Sequence, residues 1–190
     1  SGAREWAFRT ISSQLSFFAF GTGGGYIGRQ YTTALSTGQW YHAVVTYDGS
    51  KASSGITLYL NGSAVDNANY ASGTYTAAVN AGAEVRAGAL QVNNTYSDGK
   101  IDELAIFNSE LTAAQVANIY KGEESGGSGG TNGKPGDLSS FSPVGWWRMG
   151  DGVEGGSGTT IYDTSTNSNN GVLSGDAVIT SIGIGESIYV

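Results

Sequence analysis

The chain of 190 residues carries a formal net charge of −7 and contains 31 glycines, no cysteine and one histidine. This composition excludes disulfides, thiolate or all-histidine metal sites and a cysteine nucleophile. Its acidity disfavours nucleic acid as a partner, and no apolar run is long enough to span a membrane. Aromatic residues make up 11% of the chain and charged residues only 13%, which favours strands and tight turns.

The first part of the chain contains the patterns of short strands. Leu15–Phe20 predicts an aromatic strand, and Trp40–Tyr47 is apolar on both faces, as in a central strand. The single histidine, His42, lies in this second strand and is interpreted as a hydrogen-bonded strand residue rather than a catalytic one.

A hairpin and a further strand follow. Ile56–Leu60 alternates apolar and polar residues and is followed by Asn61 and Gly62, the pair that favours a type I′ turn. Ile101–Phe107 predicts one more strand.

One short surface helix is predicted near residues 112–121. Thr112 and Gln115 have the spacing of a capping box, in which each side chain satisfies the other residue's backbone N–H. Gly122 has the residue type that ends helices in the left-handed conformation.

Residues 123–138 predict a linker, because the stretch 123–137 is rich in Gly and Ser and contains no bulky apolar side chain. The linker is either natural or engineered. Beyond it, short strands are predicted near residues 144–149, 172–173, 178–179 and 188–190. Many short strands with frequent turns predict an all-β fold, an antiparallel two-sheet β-sandwich or jelly roll.

Four ordered motifs resemble the LamG-like jelly-roll domains of the concanavalin A-like lectin and glucanase superfamily, in particular its bacterial, phage and marine-virus members. They are Trp40–Gly49, Ile56–Gly62, Gly99–Asn108 and Leu111–Tyr120. Two further segments, Pro143–Asp151 and Asp163–Gly171, look like the opening of the same family. The resemblance implies a non-catalytic module for carbohydrate or surface binding and adhesion, located outside the cell or on a virion. The alternative is a structural or decoration module of a virion, fibre or surface assembly, with partner chains.

The motifs stand in a permuted order. Residues 1–122 resemble the C-terminal part of such a domain and residues 139–190 its N-terminal part, and the family's early aromatic strand is reduced to Arg4–Phe8. The chain is therefore either a circular permutant or a join between two successive domains. We expect the two parts to close into one sandwich.

The enzymes of the superfamily carry carboxylates on alternate residues of one strand. Asp102 and Glu103 are adjacent, so in a regular strand they point to opposite faces. Two carboxylates about 5 Å apart, as a retaining glycosidase needs, cannot come from this stretch. The sequence therefore predicts no enzymatic activity.

A structural calcium ion is the one cofactor that the sequence suggests. Asp163, Ser165 and Asn167 place side-chain oxygens at alternate positions, which suits calcium. Asp102 shares a predicted strand face with Leu104, so a carboxylate there needs a partner or a metal. The alternative is that Asp163 and its neighbours cap a turn.

Tyr26, Tyr96 and Trp147 are the predicted ligand contacts. Tyr26 lies in the Gly-rich loop 21–28, and loops on a rigid sandwich often carry recognition. Because the chain is acidic, a neutral glycan or a protein surface is the expected partner. The alternative for the adjacent Trp146 and Trp147 is one ring in the core and one ring covered by a loop.

Overall fold

The computed structural model describes residues 4–65, 68–90, 95–123, 136–149, 156–181 and 186–189. These residues form short antiparallel strands and one α-helix, which confirms the predicted all-β class. The chain divides into two compact units, each made of two segments. The first unit comprises Ser1–Glu84 and Glu110–Gly136, and the second comprises Val85–Ser109 and Asp137–Val190.

The first unit contains two sheets and the helix. The elements are β1 (Trp6–Ile11), β2 (Gln14–Phe20), β3 (Tyr26–Gln30), β4 (Ala43–Tyr47), β5 (Ile56–Leu60), β6 (Ser63–Ala64), β7 (Ala68–Ser72) and α1 (Ala113–Lys121). One sheet has the order β1-β2-β3-β7 and the other the order β4-β5-β6.

The core of this unit lies between its two sheets. Every second residue of β5 points inward, and Ile56 and Leu58 are completely buried. They pack against Leu15, Ala19 and Ile27 of the larger sheet and its neighbours. Burying one such side chain stabilises the fold by about 1.5 to 3 kcal/mol. The first unit is therefore a two-sheet sandwich.

The predicted turn and helix are both confirmed. Asn61 and Gly62 have φ angles of 50° and 78°, as a type I′ turn requires. Thr112 and Gln115 form the full capping box of α1, and Gly122 ends the helix at φ 70°. Val116 is the buried anchor of the helix.

Three strand predictions in this unit were wrong. The first strand is not reduced, because β1 runs over six residues and pairs along its whole length with β2. The Gly-rich segment ends at β3, so Tyr26 lies on a strand rather than in a loop. The strand predicted from Trp40 begins only at Ala43, and Trp40 is 53% exposed.

The second unit is built from shorter strands. They are β8 (Ala89–Leu90), β9 (Thr95–Tyr96), β10 (Lys100–Ile101), β11 (Leu104–Ile106), β12 (Gly145–Trp147), β13 (Gly156–Ser157), β14 (Thr160–Ile161), β15 (Gly171–Val172), β16 (Val178–Ser181) and β17 (Glu186–Tyr189). The sheets have the orders β8-β9, β11-β12, β10-β17-β16 and β13-β14-β15. Met149 and Ile161 form the centre of an apolar cluster.

The strand predicted over Ile101–Phe107 is interrupted. Glu103 has a φ of 51°, which breaks regular strand geometry between β10 and β11. The prediction that Asp102 shares a strand face with Leu104 was therefore wrong.

Segments from both sides of the predicted linker pair with each other in this unit. β11 pairs with β12, and β10 pairs with β17. Residues 124–135 of the linker lie outside the described residues. Closure of residues 1–122 and 139–190 into one permuted sandwich stays a prediction.

Candidate functional site

The strongest candidate site is a group of aromatic side chains on one face of the larger sheet of the first unit. In β2, Leu15, Phe17 and Ala19 point toward the core, so the alternating residues Phe18 and Phe20 lie on the opposite face. The register of the sheet then adds two tyrosines. Tyr26 is opposite Phe20, and Tyr70 is opposite Gly28.

These four residues, Phe18, Phe20, Tyr26 and Tyr70, are named the aromatic face. The ring centre of Phe18 lies 5.8 Å from Tyr26, 5.9 Å from Tyr70 and 6.5 Å from Phe20. Phe20 and Tyr26 are 6.2 Å apart. Tyr70 is the most exposed of the four, at 38%. The rings support one another at distances typical of aromatic pairs.

The aromatic face depends on a glycine beneath it. A Cβ atom at Gly28 would lie 2.6 Å from the Phe18 ring and 2.6 Å from the carbonyl oxygen of Phe17. Any side chain there would push the ring from its place. Behind the face, the hydroxyl of Ser53 donates to the carbonyl of Tyr70 at 2.6 Å and accepts from the N–H of Gly28 at 3.4 Å.

Two arginines lie over the phenylalanine rings. The guanidinium carbon of Arg4 is 4.8 Å from the ring centre of Phe20, and that of Arg9 is 5.6 Å from Phe18. A cation over an aromatic ring is attracted by the negative face of the ring. The site therefore combines aromatic side chains with positive charge.

Of the three predicted ligand contacts, only Tyr26 belongs to the aromatic face. Tyr96 lies on β9 of the second unit and is 69% exposed. Trp147 is half-buried against the Met149 cluster, and its indole N–H donates to the carbonyl of Asn169 at 2.9 Å. Trp146 is 5% exposed. The two tryptophans therefore match the alternative of one core ring and one ring covered by a loop.

The predicted calcium ligands Asp163, Ser165 and Asn167 lie together in one loop of the second unit. Oδ1 of Asp163 accepts from the N–H groups of Trp146 and Ser165, both at 2.9 Å, and Oδ2 accepts from Asn169 at 2.8 Å. The hydroxyl of Ser165 accepts from the N–H of Asn167 at 3.3 Å. This arrangement is the capped turn that the alternative interpretation predicts.

The electrostatics of Asp163 fit the same interpretation. Burial opposes its charged form, but the hydrogen bonds from Trp146, Ser165 and Asn169 outweigh burial and hold its pKa below the ordinary value. Within the described ranges, no three His, Cys, Asp or Glu side chains cluster as a metal site. Calcium at Asp163 stays a prediction, with the backbone donors already occupying both carboxylate oxygens.

Asp102 and Glu103 bind different partners. Oδ1 of Asp102 accepts from the N–H of Glu103 at 3.0 Å. The Glu103 carboxylate accepts from the indole N–H of Trp146 at 2.7 Å and from Nε of Arg148 at 3.1 Å. Glu103 therefore forms a half-buried ion pair that orients a core tryptophan, a role that the sequence analysis did not predict.

Among the residues that the structure describes, the His42 ring has no hydrogen-bond partner, contrary to its interpretation as a hydrogen-bonded strand residue. Its ring lies 5.7 Å from that of Tyr120 on α1, and Nδ1 is buried without a partner among the described residues. Burial lowers the pKa of His42 from 6.5 to about 4. His42 is therefore neutral at pH 7 and packs as an apolar ring.

Comparison with known proteins identifies the family. A laminin G-type family model, described as the concanavalin A-like lectin/glucanases superfamily, matches residues 1–117. No curated protein and no solved structure matches the chain. Among the described residues, no helix has the length and apolar character needed to cross a bilayer. The sandwich of the first unit and the family match agree, and the chain belongs to the concanavalin A-like lectin/glucanases superfamily.

Proposed function

We propose that this protein is a non-catalytic binding module that recognises carbohydrate through the aromatic face, outside the cell or on a virion. The family fits a carbohydrate-binding or adhesion-type module. The observation that carries the proposal is the cluster of four rings on the side of the sheet that points away from the core. The face of an aromatic ring suits the C–H groups of a sugar ring.

Tyr26 and Tyr70 are the proposed stacking rings. Arg4 and Arg9 lie over the rings of Phe20 and Phe18, so the tyrosines are the rings that a ligand can cover. Tyr70 is exposed, and Tyr26 packs against Phe18 beside it. Tyrosine is enriched among the interface residues whose truncation costs more than about 1 kcal/mol.

The test measures glycan binding by the wild-type protein and by single variants. A glycan array identifies ligands, and calorimetry then gives their affinities for wild type, Tyr70→Ala and Tyr26→Ala. We expect each tyrosine variant to bind about tenfold more weakly. Trp40→Ala is the matched control, because Trp40 is an exposed ring outside the aromatic face. Tyr96→Ala tests the second predicted contact, in the other unit.

Three results would contradict the proposal. Unchanged affinity in both tyrosine variants would place the binding site elsewhere. Silence across a broad array, together with self-association through this face, would favour the structural module. Release of reducing sugar from a β-glucan would show that the protein is an enzyme.

A further inference from the structure

Arg4 and Arg9 carry positive charge at the aromatic face. Within the described part of the chain, neither guanidinium forms an ion pair. The adjacent acidic residue, Glu5, is engaged elsewhere, because its carboxylate accepts from the N–H of Ala81 at 2.7 Å. The two charges are therefore not neutralised by the acid closest to them in sequence.

The environment of Arg9 adds a second observation. Its Nε atom is buried and has no hydrogen-bond partner among the described residues. Burial and the positive charge of Arg4 together lower the pKa of Arg9. Two like charges that repel each other at the same face form an arrangement that a bound anion would stabilise.

We propose that Arg4 and Arg9 bind the carboxylate of an acidic sugar, so that the ligand of the aromatic face is an oligosaccharide containing uronic acid. This inference rests on the proposed carbohydrate-binding function and refines it. The sugar ring stacks on the tyrosine side of the face, and its carboxylate accepts hydrogen bonds from the guanidinium groups over the phenylalanine rings. The net charge of the whole chain, −7, favours a neutral glycan, and the two arginines are a local exception because they place positive charge at the aromatic face.

A carboxylate fits this position better than a densely sulfated chain. The guanidinium group is planar and donates two parallel hydrogen bonds to a carboxylate. A densely sulfated chain carries several negative charges per sugar residue, and the protein as a whole has a net charge of −7. Long-range repulsion therefore opposes a polyanion more than a sugar with one charge per ring.

The test compares two ligands that differ only in charge. Calorimetry measures binding of a trigalacturonate and of its neutral methyl ester, at low and at high salt, to the wild-type protein. We expect the acid to bind about tenfold or more tightly than the ester at low salt, with the difference shrinking as salt rises. Arg9→Gln and Arg4→Gln should each reduce this preference while binding of the ester persists. Lys51→Gln, which removes an equal charge from an exposed turn, should keep it.

The outcomes separate this inference from the proposed function. Equal affinity for acid and ester refutes the anion position and leaves carbohydrate binding in place. If the protein binds neither trigalacturonate nor its methyl ester nor any other uronate, the inference is overturned. If it then binds neutral glycans, the proposed function is still supported. Tighter binding of a glutamate peptide than of trigalacturonate overturns the choice of a sugar.

Discussion

Replacing Asp163 tests whether its carboxylate holds together the polar loop of the second unit. The side chain is 6% exposed and accepts three backbone N–H groups, from Trp146, Ser165 and Asn169. In Asp163→Ala these donors lose their acceptor. The N–H of Trp146 belongs to a buried strand residue, whereas those of the loop residues are closer to solvent.

The expected loss follows from these contacts. A hydrogen bond to a charged group contributes about 1.5 to 3 kcal/mol. In the variant, the buried N–H of Trp146 stays without an acceptor, so the whole free energy of its hydrogen bond is lost. The N–H groups of Ser165 and Asn169 can bind water instead, so most of the free energy of their hydrogen bonds is regained. We therefore expect Asp163→Ala to lower the free energy of unfolding by about 3 kcal/mol. Asp163→Asn should lose less, because its amide keeps one acceptor oxygen.

Urea unfolding followed by tryptophan fluorescence measures this loss. Asp176→Ala, at an exposed turn of the same unit, is the control and should change stability by less than about 0.5 kcal/mol. Because the pKa of Asp163 is held below its ordinary value, its contribution should be present above about pH 4 and lost as the pH falls. A loss below about 1 kcal/mol in Asp163→Ala would refute the reasoning. A calcium-dependent rise in the wild-type midpoint that Asp163→Ala abolishes would instead support a metal.

Two further predictions concern the first unit. Burial lowers the pKa of His42 from 6.5 to about 4. The free energy of unfolding should therefore fall by up to about 3 kcal/mol as the pH drops from about 6.5 to about 4. Urea titrations across this range measure the fall, and the same dependence of the unfolding free energy on pH in His42→Phe would contradict the prediction. Gly62→Ala should lower the free energy of unfolding more than Gly38→Ala does. Both glycines have similar φ angles, 78° and 77°, but the new Cβ meets a neighbour, Tyr120 at 3.1 Å, at Gly62 and not at Gly38. Equal losses of unfolding free energy in the two variants, measured by chemical denaturation, would argue against that contact.

Features set by neighbouring residues could be predicted from the sequence. The turn at Asn61 and Gly62 and the capping box of Thr112 and Gln115 are complete within four residues. Tyr26 is predicted as a ligand contact in a loop, and the structure places it on β3 instead; its contact with a ligand stays a prediction. The two-residue spacing of Phe18 and Phe20 in the predicted strand also carried a signal for a shared face.

Features set by distant partners could not be predicted. Tyr70 joins the aromatic face only because β7 pairs with β3, and no local pattern around it indicates that pairing. The break at Glu103 is accompanied by contacts with Trp146 and Arg148, which are 43 and 45 residues away. A periodicity argument assumes that the strand continues, so it missed both the positive φ angle and the ion pair.

The antiparallel pairing of Lys100 with Tyr189 and of Ile101 with Ile188 joins segments about 90 residues apart. At a synthesis rate of about 5 to 20 residues per second, β10 leaves the ribosome roughly 5 to 20 seconds before β17. The hairpin of β1 and β2, by contrast, closes within one short segment. During this interval the backbone donors and acceptors of β10 lack their partner, and another nascent chain can pair with them. Slow translation between the two strands should therefore increase aggregation, and faster translation should reduce it.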